Sequence, residues 1–209
     1  MADARSSGLR MAGEQRKALI MKVAAELFDT RGYQDTPMEA IAQQVGIRKA
    51  SLYYYFPSKD ALLVQLHQEM IDLIIDAQQR RLDEGGLKPR ELLLAIMTDL
   101  VSLMETHPGH LRVFFEHFRE LPETVRDEVA GKRDRYLQML VGVLERGVAE
   151  GEFRIADPRL TALAVLGMCN WTYQWFRPGG ARDAAEVARY FYDTLMGGVG
   201  TGGEDRAGG

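Results

Sequence analysis

The chain contains few of the residues that cross-link or interrupt a fold. It has one cysteine, Cys169, and seven prolines among its 209 residues. A single cysteine excludes an internal disulfide and a cysteine-rich zinc site, which favours a reducing compartment. The sequence also lacks a long apolar run and a signal-peptide core, so it indicates neither membrane insertion nor export. We therefore expect a cytoplasmic protein.

Motifs of the common enzyme classes are missing as well. The sequence has no GxSxG elbow, no HExxH pair and no phosphate-binding loop. His107, His110 and His117 with Glu116 nearby are a weak metal set, because no cysteine or aspartate completes them. Cys169 lies in an apolar segment, where burial is far more common than nucleophilic chemistry. We predict no metal, no cofactor and no catalytic residue, and hence a protein that is not an enzyme.

Strand patterns are absent, whereas apolar residues recur at helical spacing along most of the chain. We predict an all-α fold, with an N-terminal three-helix domain followed by a larger C-terminal helical bundle. The predicted helices cover residues 14–30, 36–45, 48–56, 59–84, 89–106, 111–121, 122–150, 157–176 and 183–196.

Residues 36–59 have the pattern of a helix-turn-helix, in which a tight turn joins two short helices. Thr36 is placed to cap the first helix with its hydroxyl, and Pro37 occupies the first helical position, where a missing N–H costs nothing. Gly46 supplies the bend. The segment therefore predicts a DNA-binding motif.

The second helix of the motif has a predictable orientation. Leu52 and Phe56 are spaced i and i+4, so both point back to the core. The opposite face carries small, hydroxyl-bearing, aromatic and cationic side chains, which suit a DNA major groove. These side chains are Ala50, Ser51 and Tyr54 facing outward, Tyr53 and Tyr55 on the flanks, and Arg48 and Lys49 at the leading end.

Residues 14–60 resemble the DNA-binding domain of the TetR family of bacterial transcriptional repressors, through the pattern AxxLFxxRGYxxTxMxxIAxxVGIxxxSLYYYFPSKDALL. The pattern is long and specific, unlike a short isolated motif. The resemblance implies a homodimeric repressor that binds double-stranded operator DNA and is released by a small molecule. It also implies that Lys49, Ala50, Ser51, Tyr53 and Tyr54 approach bases or backbone, and that Thr36, Tyr55 and Lys59 lie near phosphates.

The distribution of charge agrees with this reading. The formal charge of the whole chain is −4, yet residues 1–60 contain nine Lys or Arg against seven Asp or Glu, and the remainder contains 17 against 23. The basic excess therefore lies with the motif. An acidic protein overall does not suit a non-specific nucleic-acid coat.

The chain divides into four predicted segments. Residues 1–12 read as a disordered arm, in which Arg5 and Arg10 either reach a minor groove or are simply solvated. Residues 13–57 form the DNA-binding domain, 58–198 the ligand-binding and dimerisation domain, and 199–209 a disordered tail.

The helix predicted over 157–176 is apolar nearly all round, so both of its sides must be covered. One side meets its own bundle and the other meets a second copy, without the sequence showing which is which. One stripe contains Leu160, Leu163, Ala164, Met168, Trp171 and Trp175; the other contains Ala162, Val165, Leu166, Cys169, Tyr173 and Phe176. We predict dimer contacts at Leu163, Leu166, Phe191, Tyr192 and Leu195.

The stretch Asn170 to Gly180, NWTYQWFRPGG, resembles the branch of the family that responds to acyl-coenzyme A thioesters. The candidate effector residues are aromatic groups for an acyl tunnel and arginines for coenzyme A phosphates. They are Phe114, Phe115, Phe118, Trp171 and Trp175 with Arg112, Arg119 and Arg177. Ordinary packing and helix capping explain the same residues equally well. The alternatives are a repressor responding to a free hydrophobic or aromatic compound, an effector-independent DNA-binding protein, and an enzyme on a helical scaffold.

Overall fold

The computed structural model describes the backbone of residues 2–197 and the side chains of residues 13–197. Across these residues the regular structure is helical and contains no strand, which confirms the predicted all-α fold. The chain separates into two compact units. The first comprises the residues up to Glu84 together with His107–Gln138, and the second comprises Gly85–Thr106 together with the residues from Met139 onward.

The first unit contains the helix-turn-helix and the helices packed against it. Its helices are α1 (Ala2–Arg31), α2 (Met38–Val45), α3 (Lys49–Tyr55), α4 (Lys59–Glu84) and α6 (Pro108–Glu116), followed by the 3₁₀ turn Phe118–Glu120 and the first part of α7 (Glu123–Ala149).

The second unit contains α5 (Pro89–Thr106), the last part of α7, α8 (Pro158–Asn170), α9 (Thr172–Trp175) and α10 (Ala184–Gly197). Helix α10 packs mainly on α5, which also contacts α8 and α9. Within the described residues, no helix is long and apolar enough to cross a membrane.

The ends of the chain differ from the prediction in one respect. Helix α1 begins at Ala2, so helical backbone covers the segment 2–12 that was predicted as a disordered arm. That segment holds alanine, leucine, methionine and arginine without proline, a composition that permits a helix to continue. The predicted tail, 199–209, lies outside the described residues. The functional boundary near Ser58 stays a prediction.

A second difference lies in the helix predicted over 157–176. Its start is confirmed, because Asp157 Oδ1 accepts from the Leu160 N–H at 2.9 Å with Pro158 in the first turn. The helix is interrupted after Asn170, and a short α9 follows. At the interruption the buried Thr172 hydroxyl donates to the Cys169 carbonyl, a side-chain bond that competes with the regular helical ladder.

Helices α1 and α6 approach each other closely in the first unit. A Cβ placed on Gly109 of α6 would lie 3.4 Å from the carbonyl carbon of Ala25 in α1, so backbone faces backbone with no side chain between them. Next to this contact, Arg112 of α6 forms an ion pair with Asp29 of α1 at 2.8 Å. Burial raises the pKa of Asp29, and the guanidinium opposes that rise.

Two glycines of α7 allow a direct test of the packing. A Cβ at Gly147 would overlap the Phe153 ring, whereas a Cβ at Gly142 meets nothing within 4 Å. We predict that Gly147→Ala lowers the free energy of unfolding by about 1–3 kcal/mol through overpacking. We predict that Gly142→Ala raises it by about 0.5–1 kcal/mol through helix propensity. Urea unfolding of both variants measures this, and equal effects would contradict the assigned packing.

Candidate DNA-binding and effector sites

The turn of the helix-turn-helix is set by Gly46. Its backbone lies in the left-handed region (φ 75°, ψ 34°), and its N–H donates to the Gln43 carbonyl at 3.1 Å. The next N–H, of Ile47, donates to Ala42 at 3.0 Å, which closes the end of α2. The turn thereby directs the chain into α3 after a single extended residue, Arg48.

Helix α3 shows the orientation that the sequence predicts. Leu52 and Phe56 are 0% and 3% exposed and face the core, while Tyr54 is 85% exposed. Six of the predicted DNA-facing residues are exposed and the seventh is half-buried. The exposed ones are Arg48, Lys49, Ala50, Ser51, Tyr53 and Tyr54; the half-buried one is Tyr55, whose ring packs edge-on against Tyr54.

The cations at the start of α3 are available to a phosphate. Arg48 and Lys49 are both exposed, and Lys49 Nζ lies 3.4 Å from Glu39 of α2. Both partners of that ion pair are more than half exposed, so the pair is weak and screened by salt. A DNA phosphate can therefore replace Glu39 at little cost.

Thr36 has a different role from the predicted one. Its side chain is fully buried, and its hydroxyl donates to the Gly32 carbonyl at 2.8 Å, near the end of α1. The N-cap of α2 is Pro37, which has no side-chain cap bond. The predicted capping of α2 by Thr36 is therefore wrong, whereas its position near a phosphate stays a prediction.

Lys59 and Tyr33 join the start of α4 to the turn after α1. Lys59 Nζ donates to the carbonyl of Tyr33 at 2.7 Å and to that of Gln34 at 3.1 Å, and it lies over the Tyr33 ring. The Tyr33 hydroxyl donates to Asp60. Lys59 is thus half-buried, and its ammonium binds the loop. To lie near a phosphate as predicted, the ammonium must bind the phosphate and the two carbonyls at the same time.

Helix α8 has one buried and one exposed apolar side, which decides between the two stripes of the sequence. Ala162, Val165 and Cys169 are fully buried. The exposed side contains Leu160 (64%), Leu163 (47%), Ala164, Gly167 and Trp171 (61%). An apolar helix side left open to this extent is typical of a protein–protein interface.

The predicted dimer residues divide between these environments. Leu163 is exposed, while Leu166, Phe191 and Leu195 are half-buried. Tyr192 is only 7% exposed, so little of its side chain is open to a partner, and its assignment to a dimer face stays a prediction. The exposed Tyr190 of α10 was missed, because apolar periodicity selects the inward face of that helix.

The candidate effector residues also fall into two groups. Phe114, Phe115, Phe118, Arg112 and Arg119 belong to the first unit. Phe114 is buried, Phe115 and Phe118 are half-buried, and Arg119 is exposed. The ion pair with Asp29 makes Arg112 a packing residue in this structure.

The remaining candidates, Trp171, Trp175 and Arg177, lie in the second unit. Trp175 and Arg177 line a mostly apolar groove of about 490 Å³ together with Phe176, Val187 and Phe191. Trp171 is exposed and does not line it. Arg177 donates to the Phe176 carbonyl at 3.1 Å, as a residue that follows a helix end would. A second cavity of about 580 Å³ is lined by residues that include Arg90, Leu144, Phe153, Leu160 and Leu195.

His107, His110 and Cys169 are groups whose pKa values are shifted by burial. His107 and His110 have ring centroids 5.8 Å apart, and burial lowers the pKa of both, to about 4 for His110. Burial raises the pKa of the Cys169 thiol to about 12. Among the described side chains, no three His, Cys, Asp or Glu residues come together as a metal site.

Sequence reasoning missed polar residues inside the apolar stripes of α4 and α7. His67 and Gln78 are buried on α4, and Arg133 is half-buried on α7. The signal was present, since His67 follows Leu63 by four residues and Arg133 follows Val129 by four. A polar residue at a stripe position marks a polar contact in the core.

Comparison with known proteins agrees with this architecture. Residues 20–66 match the family described as "Bacterial regulatory proteins, tetR family", and residues 86–199 match "Tetracyclin repressor-like, C-terminal domain". The chain is 26% identical over 194 residues to the HTH-type transcriptional repressor KstR2 of Mycobacterium tuberculosis, which covers 91% of this chain and 96% of that protein.

Solved structures give the same result. The TetR family regulator PfmR of Thermus thermophilus superposes with a TM-score of 0.81 at 33% identity, covering 87% of this chain and 98% of PfmR. AibR in complex with isovaleryl coenzyme A and operator DNA superposes with a TM-score of 0.74 at 27% identity, covering 87% and 98%. With both of its parts matched and its helix-turn-helix exposed, the chain belongs to the TetR family of bacterial transcriptional regulators.

Proposed function

We propose that this protein is a homodimeric repressor that binds a palindromic operator and is released when a small-molecule effector binds. The observation that supports it most directly is the outward face of α3. The buried Leu52 and Phe56 fix the orientation of this face, and Tyr54 is exposed on it. Transcriptional repression is the activity of relatives such as KstR2.

Two copies are needed because one short helix reads only a half-site. A two-fold dimer places two recognition helices about 34–36 Å apart, one turn of DNA, and so reads a palindrome. The exposed side of α8 with Tyr190 of α10 supplies the self-complementary apolar surface. In this proposal, Leu163 lies at the centre of the dimer interface, with Leu166, Phe191 and Leu195 beside it.

Release by an effector follows from linkage. The effector must bind more tightly to the dimer whose recognition helices have the wrong spacing for DNA than to the dimer whose spacing fits. Bound DNA then weakens effector binding by the same factor. We take an acyl-CoA thioester as the first candidate, because AibR binds isovaleryl coenzyme A and the groove beside Arg177 is apolar. A free hydrophobic or aromatic compound is the alternative, favoured by the aromatic residues around Phe114.

The first prediction concerns DNA binding. Binding sites are selected from a randomised duplex pool and affinity is measured by mobility shift. Tyr54→Ala should weaken binding by about 1–3 kcal/mol with no loss of folding, since its side chain makes few contacts with the protein. Lys49→Ala should also lower the salt slope by about one. Arg80→Ala, an exposed charge removed from α4, is the control. Unchanged affinity in both test variants would contradict the assigned face.

The second prediction concerns the dimer. Leu163→Glu places a charge from each copy into an apolar interface, so sedimentation velocity should show a monomer with an unchanged circular dichroism spectrum. Leu73→Glu is the matched control, because Leu73 is an exposed leucine on α4, a helix of the first unit. A dimer that persists in Leu163→Glu would exclude this face.

The third prediction concerns the effector. Isovaleryl-CoA or octanoyl-CoA at 100 times its Kd should stabilise the protein by about 2.7 kcal/mol in thermal unfolding, and coenzyme A alone should stabilise it less. Arg177→Met should reduce the effect, while Arg135→Met, at an exposed arginine of α7, should not. Stabilisation by free aromatic compounds but not by thioesters would select the alternative effector.

A further inference from the structure

Two buried nitrogen atoms in the first unit lack a hydrogen-bond partner and lie against the same pair of phenylalanine rings. They are Nε2 of His67 on α4 and Nε of Arg133 on α7. Buried polar groups are nearly always paired, because an unpaired one costs about 1–3 kcal/mol. Both atoms therefore have room for a further polar partner, and both residues lie beside the same two rings.

The rings that hold them come from α6 and the 3₁₀ turn after it. The guanidinium carbon of Arg133 lies 4.2 Å from the Phe114 ring centroid and 4.3 Å from that of Phe118. The His67 ring lies 5.5 Å and 6.4 Å from the same two centroids. We call these four side chains the Arg133–His67 cluster.

Arg133 is a largely desolvated cation without an acidic partner among the described residues. Its Nη2 donates to the Phe114 carbonyl at 2.8 Å, and its other contacts are the two rings. Burial lowers its pKa to about 10, so the guanidinium stays charged at neutral pH. The acidic side chain of the neighbourhood, Glu120, has its Oε1 3.4 Å from His117 Nδ1, and its other oxygen, Oε2, is also buried without a hydrogen-bond partner. A ligand anion is therefore the natural complement of Arg133.

His67 presents a hydrogen-bond acceptor to the same place. Its Nδ1 lies 3.0 Å from the Leu63 carbonyl, which only accepts, so Nδ1 carries the proton and Nε2 is bare. Burial lowers the pKa of His67 to about 4, and the charges of Arg133 and His117 contribute, against Glu120 and the Leu63 bond, which raise it. The Arg133–His67 cluster therefore offers one charged donor, Arg133 Nε–H, and one acceptor, His67 Nε2.

A carboxyl group combines a negative charge with the ability to share a proton, and it attaches directly to the apolar chain or ring that the two phenylalanines can pack against. We propose that Arg133 and His67 bind the carboxyl group of an organic acid, with one oxygen accepting from Arg133 Nε–H and the other sharing a proton with His67 Nε2. The Phe114 and Phe118 rings pack on the adjoining apolar part of that acid. The inference rests on the proposed function and deepens its alternative effector, the free hydrophobic or aromatic compound, by specifying a carboxylic acid.

The proposal separates acids from esters. A methyl ester, and the acyl end of a simple acyl thioester, carries no charge for Arg133 and no proton for His67, so neither can complete the cluster. An acyl-CoA fits the cluster only if its acyl chain ends in a second, free carboxyl group. Free acids and carboxyl-terminated thioesters share the recognised chemistry, and separate probes distinguish them.

The shared proton gives binding a defined pH dependence. Between pH 6 and 8 the free acid is ionised and the free His67 is neutral, so the complex holds one proton more than its separated parts, taken up from solvent. Affinity should therefore fall as pH rises, by about tenfold per pH unit. Arg133, His117 and Glu120 are the charged or titratable groups that act on His67 from the other elements.

The experiment is thermal unfolding of the full chain with octanoate, phenylacetate, their methyl esters, glutaryl-CoA and butyryl-CoA. We expect at least one free acid or glutaryl-CoA to stabilise the wild type, and any stabilisation by butyryl-CoA or the esters to be the same in Arg133→Met as in the wild type. Arg133→Met should weaken that acid by about tenfold or more, while Arg135→Met leaves its binding unchanged. Arg133→Met should still fold, because it replaces a desolvated cation by an apolar side chain of similar length.

His67→Leu provides a second readout, namely the loss of the pH dependence of acid binding between pH 6 and 8. The proposal is overturned if no acid or glutaryl-CoA stabilises the wild type, if methyl esters stabilise it as well as their acids, if Arg133→Met binds acids like the wild type, or if His67→Leu keeps the full pH dependence. Operator binding is measured on the ligand-free protein. A protein that binds its operator but ignores every acid overturns this inference alone, whereas one that binds no duplex overturns the proposed function.

Discussion

The burial of Leu52 and Phe56 is the constraint on which the DNA-facing surface depends. Each buried side chain contributes about 1.5–3 kcal/mol, so together they fix the rotation of a helix too short to be stable alone. That rotation decides which residues reach solvent, and it places Tyr54 outermost. The exposure of the tyrosines therefore depends on the burial of Leu52 and Phe56.

The first unit brings together the recognition helix and the helices that carry the Arg133–His67 cluster. Helix α4 begins directly after the recognition helix at Lys59, and its buried face contains His67. Near its start, α4 is tied to the turn after α1 through Tyr33, Lys59 and Asp60. In the proposed function, a ligand that moves α4 therefore acts on a helix that is separated from α3 by only three residues, 56–58. The largest change in DNA affinity that such a ligand can cause is set by the ratio of its own affinities for the two spacings of the recognition helices.

Periodicity predicted the helices and the core of the motif well, because spacing in the sequence determines facing on a helix. It did not predict three details. The hydroxyl of Thr36 turned back to α1, since the loop geometry that offered the Gly32 carbonyl is not visible in the sequence. Thr172 ended α8 early through a local bond. The two apolar sides of α8 could not be ranked from residue type alone, since only the packing of α5 and α10 shows which one is covered.

Gly109 leaves clearance between α6 and α1. A Cβ at this position would lie 3.4 Å from the Ala25 carbonyl carbon, an ordinary van der Waals distance, so the glycine hydrogen leaves a space there about the size of a methyl group. Side chains at a helix–helix contact change rotamer when the helices move, whereas this point of the crossing has backbone on both sides. Helix α6 can therefore approach α1 slightly at this point without any side chain having to move.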